Sequence, residues 1–258
     1  MPDDSSRAKA RVSPMRLGPV LLACVVVISV TLAACAMRGE SASILLFNGT
    51  GTSPNDVEAV ESILDSKHLG YTTADSARLN GMDEAQLRMF RLLIVPGGNF
   101  IHIGNGLTSR TTANFRGAVR NGLNYLGICA GGFFAGDTGT NALKLTGVRF
   151  GFYAAERQGI RKTAVAIASA GGPTLDQYWE DGPQFAGWGE VVAKYPDGTP
   201  AVVEGTVGSG GVLLTGIHPE APEQWRRGMT FRTPASDDNA YAAMLIQAAL
   251  NRTSLPHY

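Results

Sequence analysis

From Ser43 onward, short runs of apolar residues alternate with longer stretches in which apolar positions recur at helical spacing. That alternation predicts an α/β sheet with crossover helices. Ile44-Leu45-Leu46-Phe47 reads as a first strand that ends in the loop Asn48 to Ser53. Pro54 stands where a helix begins, and Val57, Val60, Ile63 and Leu64 follow at helical spacing. Tyr71 to Ala74 reads as a second strand, and Leu92 to Val95 as a buried one that runs into Pro96-Gly97-Gly98. Thr111 to Asn121 reads as a helix with Phe115, Ala118 and Val119 on one side. Leu123 to Ile128 is the next strand, and Ala130 to Ala135 starts another helix.

In the later half the grammar changes from crossovers to hairpins. Thr163 to Ala168, Glu190 to Tyr195, Ala201 to Gly205 and Gly211 to Ile217 read as strands, with Pro196-Asp197-Gly198 as a turn. Asp237 to Leu250 closes the chain as a helix whose apolar face is expected at Ala240, Met244, Leu245 and Ala248. No linker interrupts the pattern, so residues 36–258 are expected to form one domain.

The first residues do not belong to that pattern. Arg7, Lys9, Arg11 and Arg16 outnumber Asp3 and Asp4, and an uncharged stretch runs from Leu17 to Ala34. A basic segment followed by an apolar one is the layout of a secretory signal. It closes on Leu32-Ala33-Ala34-Cys35, which resembles the lipobox of bacterial lipoproteins. The resemblance implies a signal peptide over residues 1–35, cleavage before Cys35, and a lipid on its thiol that ties the protein to the membrane. Ala36 then implies outer-membrane sorting, with the domain facing the periplasm of the cell envelope. An uncleaved anchor and an ordinary secreted protein are the alternatives, since the stretch is just long enough to span a bilayer. All three export the domain.

Composition narrows the function classes. The protein is 44% hydrophobic and 17% charged with zero formal net charge, so it buries a real core and lacks the basic surplus of a nucleic-acid binder. Of three cysteines, Cys24 leaves with the signal and Cys35 is acylated, leaving Cys129 alone in the domain. A lone cysteine in an oxidising compartment is either a buried apolar residue or a thiol kept for chemistry.

The sequence around Cys129 favours chemistry. Gly127-Ile128-Cys129-Ala130-Gly131 passes from a strand into a helix, the thiol version of a nucleophile elbow. The glycines permit a sharp turn, and a helix N-terminus favours the thiolate. A thiol nucleophile needs an imidazole to manage its proton and a carboxylate to orient that imidazole. Gly216-Ile217-His218-Pro219-Glu220 supplies both after another strand. The amides of Gly97 and Gly98, with that of Ala130, are candidates for an oxyanion hole.

Taken in order, these motifs resemble the class I glutamine amidotransferase superfamily. Within it, Phe47 to Ser53 and Gly127 to Gly131 are most similar to the N-terminal domain of fungal biotin–protein ligases and its free-standing bacterial relatives. The resemblance implies a flavodoxin-like sandwich with a mostly parallel central sheet, an antiparallel hairpin extension in the C-terminal half, and a Cys129-His218-Glu220 triad. The sequence holds neither an ATP-dependent synthetase domain nor a biotin ligase catalytic domain. Hydrolysis of a γ-glutamyl, amide or peptide bond is therefore expected rather than transfer, through an acyl-thioester on Cys129 and without cofactor or metal. The rival is a binding module that recognises a small molecule or an envelope protein without turnover.

Other features are set aside. Glu61, Asp65 and His68 read as a solvated helix face rather than a metal site. His102 reads as a loop residue near the Pro96-Gly97-Gly98 turn. Gly208-Ser209-Gly210-Gly211 lacks the lysine of a phosphate loop, and Trp179, Trp188 and Trp225 read as core or lid residues.

Overall fold

The computed structural model describes residues 42–139, 141–153 and 161–258. The expected signal segment, with Cys24, Cys35 and Ala36, lies outside the described residues.

The first half is built as expected, with a parallel sheet and its helices: β1 (Ile44–Phe47), α1 (Pro54–Ser66), β2 (Tyr71–Ala74), α2 (Ser76–Gly81), α3 (Glu84–Leu87) and β3 (Leu92–Val95). It continues through α4 (Phe100–Gly106), α5 (Ser109–Arg120), β4 (Asn124–Ile128) and α6 (Ala130–Ala135). Ser53 caps α1 by accepting from the Asp56 amide, and Pro54 occupies the first turn, where no amide is required. The short helices α2, α3 and α4 were not foreseen, because none is long enough to show a helical period. Each begins at an Asp or Asn cap: Asp75, Asp83 and Asn99.

The second half contains β5 (Gly151–Phe152), β6 (Lys162–Ser169), β7 (Thr174–Glu180), β8 (Pro183–Gln184), β9 (Glu190–Lys194), β10 (Pro200–Val207) and β11 (Gly210–Thr215). A 3-10 turn at Glu223–Arg226 and α7 (Ala235–Asn251) complete it. One sheet runs in the order β2-β1-β3-β4-β11-β10-β9-β6-β7. Its first five strands are parallel and the rest pair antiparallel.

Alternation along the parallel strands divides the core in two. Ile44, Leu46, Leu92 and Ile94 pack with Val60 and Leu64 of α1 and with Leu245 and Ile246 of α7. Leu45, Phe47, Leu93 and Val95 pack on the other face with Phe115 of α5 and Phe134 of α6. Both faces are covered, which is why these strands are apolar throughout. In α7, Tyr241, Ala242, Leu245, Ile246 and Ala249 face the sheet, while Met244 and Ala240 are exposed. The expected apolar face was therefore partly wrong. Alanines recur all round this helix, so their pattern does not fix its rotation.

Two features position the site. Parallel strand order reverses around β1, with β2 on one side and β3 on the other, and such switch points open a crevice at the carboxyl ends of the strands. The loops after β1 and β3 are tied there by a bridge between Thr52 and Gly98. The β6–β7 hairpin pairs with β9 only at Ala168 and Ser169. It then curls back, so that Tyr178 of β7 bridges His218 beyond the end of β11.

The segment after β11 is pinned by Arg226. Its guanidinium pairs with Asp238 in the first turn of α7 and donates to the Thr233 carbonyl at 2.8 Å, and both charged side chains are buried. Removing one partner of a buried pair strands the other charge. Arg226→Ala is expected to destabilise the protein by about 3–5 kcal/mol. An unchanged denaturant midpoint would show that the pair does not hold this segment.

Candidate functional site

Cys129 lies where β4 ends and α6 begins, with backbone φ 47° and ψ −102°. A non-glycine residue in this region is strained by about 1–3 kcal/mol, and such residues concentrate at functional sites. The turn is held by close packing. A Cβ on Gly131 would come within 2.0 Å of the Val95 carbonyl oxygen, so α6 can approach β3 this closely only with glycine there. The Cys129 amide donates to the Thr215 carbonyl at 2.7 Å, which anchors the turn to β11. The side chain lines a cavity of about 780 Å³.

His218 lines the same cavity and is buried. Its Nδ1 donates to Glu220 Oε1 at 2.9 Å, so the spacing across Pro219 does bring imidazole and carboxylate together. The same nitrogen stands 3.0 Å from Asp56 Oδ1. One N–H cannot point squarely at two acceptors. Glu220 takes the aligned hydrogen bond, and Asp56 contributes chiefly its charge.

Asp56 was missed in the sequence, although a signal was present. It falls on the same helical stripe as Val60 and Leu64, which directs an acid into the interior. An acid in the first turn of a helix ordinarily serves the helix dipole, so position alone does not mark Asp56 as buried.

The electrostatics follow from this crowding. Burial alone would push the His218 imidazole down. The Cys129 sulfur and the Glu220 and Asp56 carboxylates outweigh it and hold the ring well above the usual histidine range. Burial raises Glu220 despite the imidazole beside it, whereas Asp56 is drawn below the usual carboxylate range by His218 against its own burial. The Cys129 thiol donates to the Glu180 carbonyl at 3.6 Å, and it makes no hydrogen bond to the imidazole among the described residues. In an unliganded site such contacts are often loose and tighten only when substrate binds.

Gly98 and Ala130 line the cavity beside Cys129, and their amides have no acceptor among the described residues. Gly97 stands behind the wall instead. A Cβ there would lie 2.0 Å from Asp56 Oδ1 and 2.7 Å from His218 Cε1. Gly97 thus leaves room for the imidazole and its acid. Tyr178 and Trp225 ring His218 at centroid distances of 5.8 and 6.0 Å. His102 lies on α4 rather than in a loop and is exposed, as are Asp65 and His68. Trp179 is buried on β7.

Ligand atoms of Asp56, His218 and Glu220 lie within 4.8 Å of one another, and among the described residues they form a group able to hold a cation. A metal on Nδ1 would displace the proton that Glu220 accepts. Metal binding and the imidazolium are therefore mutually exclusive here.

A raised imidazole contributes stability that is present below the ordinary histidine range and is lost as pH rises through the folded-state value. Histidine Cε1–H NMR is expected to show His218 protonated at neutral pH. Asp56→Asn should shift its midpoint downward, because one of the flanking anions is gone. An unshifted midpoint would remove Asp56 from the network.

Residues 42–160 match the family described as biotin-protein ligase, N terminal. The matched segment runs from β1 past β5 and includes Gly97, Gly98, Cys129 and Ala130, and it stops short of His218 and Glu220. No curated protein matches the sequence. A cytoplasmic protein from Salmonella typhimurium LT2 superposes with a TM-score of 0.53 at 12% identity, over 81% of this chain and 98% of its own. A second cytoplasmic protein from Salmonella typhimurium gives 0.50 at 10% identity, over 80% and 98%. The exo-beta-1,4-mannosidase Op5Man5 from Opitutaceae bacterium strain TAV5 gives 0.48 at 15% identity over 86% of this chain, which spans 39% of the mannosidase. At such identities the likeness to the two Salmonella proteins is one of fold. Over residues 42–160 this chain is therefore similar to the N-terminal domain of biotin–protein ligases.

Proposed function

We propose that the domain is a cysteine-dependent amidohydrolase of the glutamine amidotransferase type, with Cys129 as nucleophile, His218 as its proton partner and Glu220 as the orienting acid. One observation carries the reading. A cysteine held in strained backbone shares a cavity with a buried imidazole whose Nδ1 is engaged by two carboxylates. A cysteine placed for packing needs neither the strain nor the charges.

In this mechanism the thiolate adds to the carbonyl carbon, and the electron pair moves to oxygen, which rests against the amides of Gly98 and Ala130. The C–N bond breaks as the leaving amine takes a proton from His218. Water then attacks the thioester, loses its proton to His218, and releases the acid and the thiolate. Asp56 gives the imidazolium a second anion, so Glu220 is not its sole support.

The reading is tested by iodoacetamide labelling of Cys129 at neutral pH. The wild-type thiol is expected to react faster than glutathione. His218→Ala should slow it by on the order of tenfold or more, through loss of the ion-pair partner. Glu220→Gln should slow it less, because Asp56 remains. Equal rates in all three proteins would leave a binding module on the same fold.

We also propose that Cys35 carries the lipid that ties the domain to the cell envelope on its periplasmic side. The basic segment, the apolar stretch and Leu32-Ala33-Ala34-Cys35 support this. Cys35→Ser should abolish incorporation of labelled palmitate and leave the precursor uncleaved; unchanged incorporation would sink the assignment.

A further inference from the structure

We infer that the cavity receives acyl compounds whose acyl arm ends in an aromatic or similarly flat apolar group, seated against Phe100, Phe133 and Phe152; the direction of binding rests on the proposed chemistry of Cys129.

The three rings form one apolar wall of the cavity. Phe100 stacks on Phe133 at a centroid distance of 4.7 Å and an interplanar angle of 30°. Phe152 leans on Phe133, also at 4.7 Å, and lies 6.4 Å from Phe100. Phe133 is buried, Phe100 half-buried, and Phe152 is 45% exposed. A phenylalanine exposed this far on a concave wall offers apolar surface that a ligand would remove from water. Aromatic rings prefer the offset and tilted contacts that such a wall presents to a further ring.

Position decides which half of the substrate meets the wall. Phe133 follows Cys129 by one turn of α6, and Phe100 follows Gly98 by two residues at the start of α4. Two of the three rings therefore lie beside the residues proposed to supply the oxyanion amides, and Phe152 joins them from β5. The leaving amine must lie near the imidazole that protonates it, and the rings in contact with His218 are Tyr178 and Trp225, with none of the three phenylalanines among them. The acyl arm is left to the phenylalanines.

A free glutamine head needs an anion for its ammonium and a cation for its carboxylate. Of the charged side chains lining the cavity, Lys162, Glu180 and Asp56 are already in ion pairs. Lys162 pairs with Glu180 at 3.2 Å, and Glu180 also accepts from the Tyr178 hydroxyl at 2.5 Å. Asp56 faces His218, and Asp181 accepts from the Arg161 amide at 3.3 Å. Arg227 is exposed at the mouth.

The test uses two reagents with the same reactive end, chloroacetone and 1-chloro-3-phenylacetone. In each, the Cys129 thiolate displaces chloride and forms a thioether. The phenyl reagent is expected to label Cys129 faster than chloroacetone by on the order of tenfold, after correction for the same ratio measured with glutathione. Phe152→Ala, which removes an exposed ring and should fold, is expected to lose most of that ratio. A second arm follows binding of phenylacetamide and acetamide to Cys129→Ala by NMR titration. Preference for phenylacetamide, weakened by Phe152→Ala in that background, supports the subsite even if the thiol proves no more reactive than glutathione, in which case only the hydrolase reading falls. A fast thiol with a corrected ratio near one and no binding preference would overturn the subsite and leave the hydrolase reading standing.

Discussion

An imidazole buried from water keeps a proton only if negative charge stands against it, and His218 has that charge on one nitrogen from two directions. Much of the surrounding architecture serves this arrangement. Gly97 is small so that Asp56 and the ring can meet behind the wall. The Ser53 cap fixes the start of α1 and hence the direction in which Asp56 points. Two carboxylates and one imidazolium carry an excess negative charge into the interior. Burial raises Glu220, while His218 draws Asp56 below the usual carboxylate range. Glu220 takes the aligned hydrogen bond from the ring.

The antiparallel extension belongs to the same design. A five-stranded parallel sheet would suffice to present Cys129 and His218 at its carboxyl edge. The β6–β7 hairpin adds the far wall of the cavity by leaving β9 after two residue pairs and returning to His218. The return brings Tyr178 to the imidazole and the Glu180 carbonyl to the thiol. The opposite wall needs no such return, because Phe100 and Phe133 come from helices that follow the parallel strands directly.

What the sequence disclosed was what local chemistry encodes. Strands β1 and β3 are buried on both faces and apolar throughout, so they were placed to the residue; the half-buried edge strand β2 was placed as well despite its two threonines. The thiol turn and His218-Pro219-Glu220 were legible because each is contiguous. Asp56 was not, because its partner lies far along the chain and nothing local separates a buried acid from a capping one. Strand β7 escaped for a related reason. Thr174-Leu175-Asp176-Gln177-Tyr178-Trp179-Glu180 mixes polar and apolar residues without strict alternation. Its burial follows from the curl of the hairpin and from Arg232, which clasps Asp176 through its side chain and amide. Tertiary contact, not local preference, makes it a strand.

The bridge between Tyr178 and His218 has a consequence for the order of folding. The parallel strands through β4 precede β11 in the chain, but the Cys129 turn is anchored only when Thr215 of β11 accepts from its amide. His218 follows the β10–β11 hairpin, which sets β11 beside β4, and its surroundings are complete only when Tyr178 of the β6–β7 hairpin bridges it. Pairings so distant in sequence form late, since long loops must close before they are rewarded. A chain stopped before that point holds Cys129 without His218 beside it.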